Sequence, residues 1–441
     1  MFHDHHTTAS RRKRGAARGA AALTLTLAAL IAPASASAAW TAPVDLSAPG
    51  QDAYDPAVAV ALDGDSVLAW QRSDGFDQRI KARTMTDTGL LGPVMTLSTA
   101  GENAIDPRVG VDDDGNGVIV WERFDGADWR VQARTLSETN VVGATQTLSI
   151  AGQDGVDPDV AVDDAGDAVV VWRNGTDQRI QGRTRAANGV LGPLTWFSNA
   201  GGDAYGPRID IDSNGDALAA WQRHDGNHYR AEARPMSAAG VAGAVQILSV
   251  AGADALGTEV AVDVNGDATV IWARWDGAND RIEARTRSSA GALGAVSTLS
   301  AAGQDAYNAE VGVEDNGDGV VVWERFDGLD FRIQARTVAA SGALGGTTTI
   351  SIAGENAHDP EIGVDANGDA VIAWKRWFNS EFRAHAKTMS NAGVFGPGIT
   401  LSDAGENASD PQVGVDEFGA AVVTWDRNDG TDQRIQATTG P

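Results

Sequence analysis

Three of the four tyrosines in this 441-residue chain, Tyr54, Tyr205 and Tyr307, occupy one place beside a recurring phrase that reads Gly-Gln-Asp-Ala or Gly-Glu-Asn-Ala in most copies. Other copies put Ile105, Val156, Leu256, His358 and Ser409 in that place. Variation at one position amid repetition is where specificity belongs. A second recurring stretch carries aromatics beside aspartate: Phe124-Asp125-Gly126-Ala127-Asp128-Trp129, His224-Asp225-Gly226-Asn227-His228-Tyr229, Trp275-Asp276-Gly277, Phe326-Asp327-Gly328-Leu329-Asp330-Phe331 and Trp377-Phe378. Aromatic faces beside carboxylate oxygens and arginine donors suit saccharides, whose C–H faces stack while their hydroxyls hydrogen-bond. The competing reading gives the aromatics a capping role at the ends of packed elements and makes the aspartates turn initiators.

Catalytic constellations are harder to find. Beyond the first 38 residues the histidines are His224, His228, His358 and His385. His224 and His228 share one loop and would need ligands from elsewhere to hold a metal. No nucleophile elbow, P-loop or dinucleotide fingerprint is present. Carboxylates are abundant, but nothing marks two of them as a glycosidase pair.

The elements that must position these residues follow from a tryptophan ladder. Trp70, Trp121, Trp172, Trp221, Trp272, Trp323, Trp374 and Trp425 are separated by six intervals of 51 residues and one of 49, the signature of a repeat architecture. Within the second unit, Arg108 to Asp112 alternates into the turn Asp113-Asp114-Gly115-Asn116, and the β-branched run Val118 to Trp121 follows. Trp129 to Thr135 and Ala144 to Ser149 complete four short strands with no helical periodicity. Four strands per unit, repeated radially, predict an all-β, eight-bladed β-propeller over residues 39–441. The apolar second strand would lie between neighbouring blades, with the tryptophan in the inter-blade core. Small residues in the first strand (Ala59, Gly110, Ala161, Ala261, Gly312, Gly363 and Gly414) suit the crowded strand nearest the channel.

The ends of the chain set the blade count. The fourth-strand phrase ending in Leu-Ser occurs first at Leu46-Ser47, ahead of any full unit, whereas the last unit stops after its third strand at Arg434 to Thr438. Residues Thr41 to Ser47 are therefore expected to complete the last blade and close the ring, removing exposed edges. Loops after strands two and four then share one face, which carries the variable position and the aromatic stretches. The opposite face carries turns such as Asp263-Val264-Asn265-Gly266-Asp267 and Asp365-Ala366-Asn367-Gly368-Asp369. Their alternate acidic oxygens are calcium-like, but the hairpins lack the distal carboxylate of a twelve-residue loop, and Asn-Gly is ordinary hairpin chemistry. Structural turns are expected, calcium is the weaker alternative, and no cofactor is implied. Arginine also recurs, from Arg79, Arg130 and Arg179 to Arg434, with a second cation four residues later in most units (Arg83, Arg134, Arg183). Inter-blade pairing with carboxylates is the expected role.

Residues 1–38 read as a secretory signal peptide: Arg11, Arg12, Lys13, Arg14 and Arg18, an apolar run from about Ala20 to Ile31, then Ala34-Ser35-Ala36 and Ala36-Ser37-Ala38. The run is shorter than the roughly 20 residues of a membrane span. Lys13-Arg14 stands where a twin-arginine signal prefers apolar residues, which favours the ordinary secretory route. Its removal takes five basic residues and one acidic one, moving the formal charge from −26 to −30. Such a surface repels nucleic acid and anionic membranes, which need clustered cations. With no cysteine, packing and hydrogen bonds alone must hold the fold.

Across residues 39–441 the chain resembles secreted bacterial β-propeller repeat proteins. The Asp-x-x-Gly-Asp/Asn stretch leading to tryptophan is also similar to the Asp-box of sialidase-type blades. Asp112 to Gly115 spans three residues and Trp121 lies six beyond, so the Ser/Thr-x-Asp-x-Gly-x-x-Trp spacing is not met. No isolated arginine triad stands out, so the resemblance implies the blade and not sialidase activity. The leading expectation is a secreted, monomeric, multivalent binding module, lectin-like toward neutral glycans or cell-surface partners, gaining through avidity. A secreted glycan-active hydrolase or lyase at the channel mouth near His358, Tyr54 and Tyr307 is the alternative, and a structural cell-envelope protein the third. Eight near-equal units supply little catalytic asymmetry, which weighs toward binding.

Overall fold

The computed structural model describes residues 40–441; the expected signal peptide lies outside the described residues. The strands form eight four-stranded antiparallel sheets, with no helix among the described residues. Blade 2 is typical: Ala104–Val111, Gly117–Phe124, Trp129–Leu136 and the two-residue outer strand Gln146–Thr147. Blade 8 takes Ala408–Val415, Ala421–Asn428 and Gln433–Gly440 from the end of the chain and Val44–Asp45 from its start. Val44 pairs with Ala437 and Asp45 with Gln436. Thr41 N donates to Thr439 O at 2.9 Å, and Leu46 N to Ile435 O at 2.8 Å. The ring closes through its own termini, as the displaced Leu-Ser phrase predicts.

Each repeated tryptophan is essentially fully buried. The apolar clusters cross the seams: Val169, Val171, Ile180 and Phe197 of blade 3 pack with Ala219 and Trp221 of blade 4. At the seam between blades 8 and 1, Leu46 and Ile435 meet Leu68 and Trp70. The second strand is mostly apolar up to its tryptophan because both faces of that stretch are covered. Inner strands crowd one another: a Cβ on Gly110 would stand 2.6 Å from Val162 Cγ2, and one on Gly363 2.4 Å from Val415 Cγ2.

The arginines differ from expectation. Arg130 Nη1 pairs with Asp125 of its own blade at 3.2 Å, and its Nε donates to Ser149 Oγ at 3.1 Å. The second series does cross seams, but to main chain: Arg134 Nη1 donates to Leu97 O of blade 1 at 2.7 Å. In these two series the carboxylate pairs are thus within blades, and the inter-blade bonds end on carbonyls. On the opposite face, Asp263 Oδ1 accepts the amides of Asn265 and Asp267 at 2.9 and 2.7 Å, an oxygen committed to its own turn.

Candidate functional site

The variable position is the second residue of each innermost strand, and the residue after it breaks the register. Pairing is interrupted between Tyr54 and Ala57, Ile105 and Arg108, and likewise in every blade. The interrupting residues are left-handed: Asp55, Asp106, Asp157, Gly206, Gly257, Asn308, Asp359 and Asp410 have φ between 48° and 58°. Aspartate, asparagine and glycine tolerate that region best. The extra residue makes a β-bulge, which bends the strand and re-aims its side chains. The variable side chain stays at the rim while the residue three places on turns into the channel.

That third column, Ala57, Arg108, Asp159, Arg208, Glu259, Glu310, Glu361 and Gln412, is where the ring loses its symmetry. Most of it lines a cavity of about 570 Å³ at the channel mouth, together with Asp55, Asp359, Asp410 and the variable residues Leu256 and Tyr307. Its cations lie on blades 2 and 4 and its glutamates on blades 5 to 7. Arg208 Nε meets Glu259 Oε2 at 3.0 Å, and Gln412 Nε2 donates to Glu361 Oε1 at 3.2 Å. Asp159 Oδ2 accepts the Ile209 amide at 2.9 Å, joining blades 3 and 4. Burial, with the Glu259 charge nearby, pushes Glu361 up to about 8. Burial and the charges of Glu259 and Glu361 raise Glu310 well above the carboxylate range. The mouth therefore holds neutral carboxyls that can donate as well as carboxylates that accept. Sequence reasoning missed this column although it varies as much as its neighbour three residues earlier.

The sequence-predicted residues divide by chemistry. Tyr54, Tyr205, Tyr307 and His358 are half-buried at the rim. Tyr307 lies 6.0 Å from Phe331, Phe331 4.9 Å from His358, His358 6.2 Å from Phe382, and Phe382 4.9 Å from Trp377. With Phe326 at 5.3 Å from Phe331, they form one aromatic arc over blades 6 and 7. Tyr205, Tyr229 and His224 make a second patch on blade 4, and Phe124 with Trp129 a pair on blade 2. Trp275 and Trp377 are 46% and 41% exposed. Phe331 and Phe382 belong to the column of Trp129 and Tyr229, which was the available signal for adding them.

The predicted aspartates are committed to the fold. Asp125 Oδ1 accepts the amides of Ala127 and Asp128 at 3.1 and 3.0 Å while its Oδ2 holds Arg130. Asp225, Asp276 and Asp327 repeat this arrangement with Arg230, Arg281 and Arg332. The amides of His228 and Asn227, aided by Arg230, hold Asp225 down at about 2. The Asp or Asn of the repeated phrase is also engaged: Asp154 Oδ1 accepts the Trp129 amide of the preceding blade at 2.8 Å.

Where the residue after the repeated tryptophan is Glu or Gln, it secures the bulge of the next blade. Glu122 Oε1 accepts the Asp157 amide at 2.7 Å, Gln222 Oε1 the Gly257 amide at 2.8 Å, and Glu324 Oε1 the Asp359 amide at 2.8 Å. Glu324 also meets His358 Nδ1 at 2.9 Å, which ties that variable residue to the seam.

No family model matches the sequence, and no curated protein does. Among solved structures, an ulvan lyase described as a new family of polysaccharide lyase is similar at TM-score 0.50 and 9% identity, covering 88% of this chain and 93% of that one. A protein of unknown function from Dyadobacter fermentans is similar at TM-score 0.47 and 12% identity, over 92% and 99% of the two chains. A puromycin hydrolase gives 0.48 and 14%, over 89% of this chain and 61% of its own. At such identities the likeness is one of fold.

Proposed function

We propose that the protein is an exported carbohydrate-recognition propeller whose ligand enters the channel mouth between the aromatic arc and the charged column. The observation that carries this reading is the cavity of about 570 Å³, which opens beside the variable rim residues Leu256 and Tyr307 and is lined by most of the column that breaks the ring's symmetry. Aromatic faces at the rim supply stacking for pyranose rings, and carboxyls, Arg108 and Gln412 below them supply hydrogen-bond partners for hydroxyls. The predominance of carboxylates opposes uronates and sulfated sugars. One asymmetric mouth favours a single ligand site over eight equal ones.

A glycan array with the protein lacking residues 1–38 tests the reading. Specific binding is expected, and joint replacement of Tyr54, Tyr205 and Tyr307 by alanine should abolish it while the circular dichroism spectrum stays unchanged. Unchanged binding by the triple variant would remove the rim from the account. The split among the channel carboxyls favours a second reading, glycan hydrolysis, because Glu361 stays protonated near neutrality and can act as a general acid. Release of reducing ends from a bound oligosaccharide, lost in Glu361→Gln, would establish it; binding without turnover would exclude it.

A further inference from the structure

The residue after each tryptophan also stands beside the left-handed residue of its own blade. In blade 3, Arg173 Nε donates to Asp157 Oδ2 at 2.9 Å. In blade 7, Lys375 Nζ pairs with Asp359 Oδ2. In blade 6 the pair is neutral on one side, with Asn308 Nδ2 donating to Glu324 Oε1 at 2.8 Å. Two blades therefore supply a nitrogen cation to the carboxylate at the bulge.

Blade 8 places Asp426 there, facing Asp410, with Asp55 of blade 1 as a third carboxyl. Asp426 is only 3% exposed, and its Oδ1 has no hydrogen-bond partner among the described residues, while the Asp55 amide and the Asp410 carboxyl act on the group. Asp55 and Asp410, the two carboxyls that act on it, form part of the cavity wall. Around them, Asp52 and Tyr54 lie beside Asp426 and Asp55, Asp106 adds further negative charge, and Arg108 acts on Asp55 from blade 2. Among the described residues no cation pairs with Asp426 or Asp410 as Lys375 and Arg173 pair with their carboxylates.

We propose that this corner of the channel mouth binds a protonated primary amine, so that the saccharide recognised is an amino sugar with its amine free. The inference rests on the carbohydrate reading above for the sugar, and on the three carboxyls for the amine. Lys375 and Arg173 are the protein's own versions of the contact. An ammonium group carries three donors and a full charge, one donor for each of Asp55, Asp410 and Asp426, and its charge takes the place of the proton that burial otherwise keeps on Asp426, which leaves to solvent. An N-acetylated amine keeps one N–H, loses the charge and leaves Asp426 Oδ1 unsatisfied.

Calorimetric titration of the protein with glucosamine oligosaccharides, with their N-acetylated counterparts and with spermidine tests the site. The free-amine oligosaccharide should bind at least about tenfold more tightly than the acetylated one, spermidine should displace it, and Asp426→Asn should erase the difference. Asp410→Asn, at an exposed position, should act alike and serves if the buried variant folds poorly. Equal affinity for free-amine and acetylated oligosaccharides overturns the amine site and leaves the carbohydrate reading standing. Spermidine binding that depends on Asp426, with no oligosaccharide bound, sustains the amine site and removes the carbohydrate reading. Amine binding unaffected in both variants overturns the assignment to these carboxyls.

Discussion

Replacing Asp426 by asparagine should stabilise the protein, and the gain should depend on pH. Burial, then the charges of Asp410 and Asp55, push the Asp426 carboxyl up to about 9. Its folded value therefore exceeds its unfolded one near 4, so between those values the native state binds a proton that the unfolded chain has released. Stability must fall as pH rises through that window. At pH 7 roughly 3 pH units separate the unfolded carboxyl from neutrality, and at about 1.4 kcal/mol each they set a ceiling of about 4 kcal/mol. Asparagine cannot titrate, keeps an acceptor for the seam and presents an N–H to Asp410. The variant should match the parent near pH 4, exceed it by about 1–4 kcal/mol at pH 7, and gain further up to pH 9. Urea denaturation at the three pH values measures this directly. A variant equally or less stable than the parent at pH 7, or a difference independent of pH, would refute the burial and charge crowding on which the argument stands.

Three further outcomes follow from the fold. Asp225 is held at about 2, and Asp125, Asp276 and Asp327 are likewise lowered by turn amides and arginine. Their contribution is complete above the unfolded carboxylate value and lost as pH falls toward 2, so stability should decline again in acid, and Asp225→Ala should make that decline shallower in pH-dependent denaturation. Gly363→Ala would set a Cβ 2.4 Å from Val415 Cγ2 and should cost about 1–3 kcal/mol, whereas Gly346→Ala, with nothing within 4 Å, should be near neutral by thermal melting. Trp323→Ala, at a fully buried seam, should cost about 3–5 kcal/mol, and a loss below about 1 kcal/mol would contradict the core role of the ladder.

The tryptophan spacing made the seams legible, and the misplaced Leu46-Ser47 phrase revealed the closure, because both are regularities that one chain displays against itself. Gly110, Gly312 and Gly363 could be placed near the channel for the same reason. The charged column was not legible, although Arg108, Glu259 and Glu361 stand only three residues beyond the variable position. An uninterrupted strand alternates strictly, and the left-handed residue inserted at Asp106, Gly257 or Asp359 changes which side chains face the channel. The second arginine series misled for a different reason. Its partners, such as Leu97 O, are main-chain acceptors that leave no mark on residue type. Asp125 and its equivalents stand beside aromatics, as a saccharide site would require, yet the same aspartates start the turns that display those aromatics.

The central claim is that one mouth, not eight equal rims, receives the ligand. The stoichiometry of the tightest-binding oligosaccharide, read by native mass spectrometry on the intact ring, tests it most directly. One ligand per chain, displaced by mutation of the channel-mouth carboxyls, is the result predicted. Several ligands bound with equal affinity and indifferent to Asp426 would contradict it and return recognition to the repeated aromatic loops.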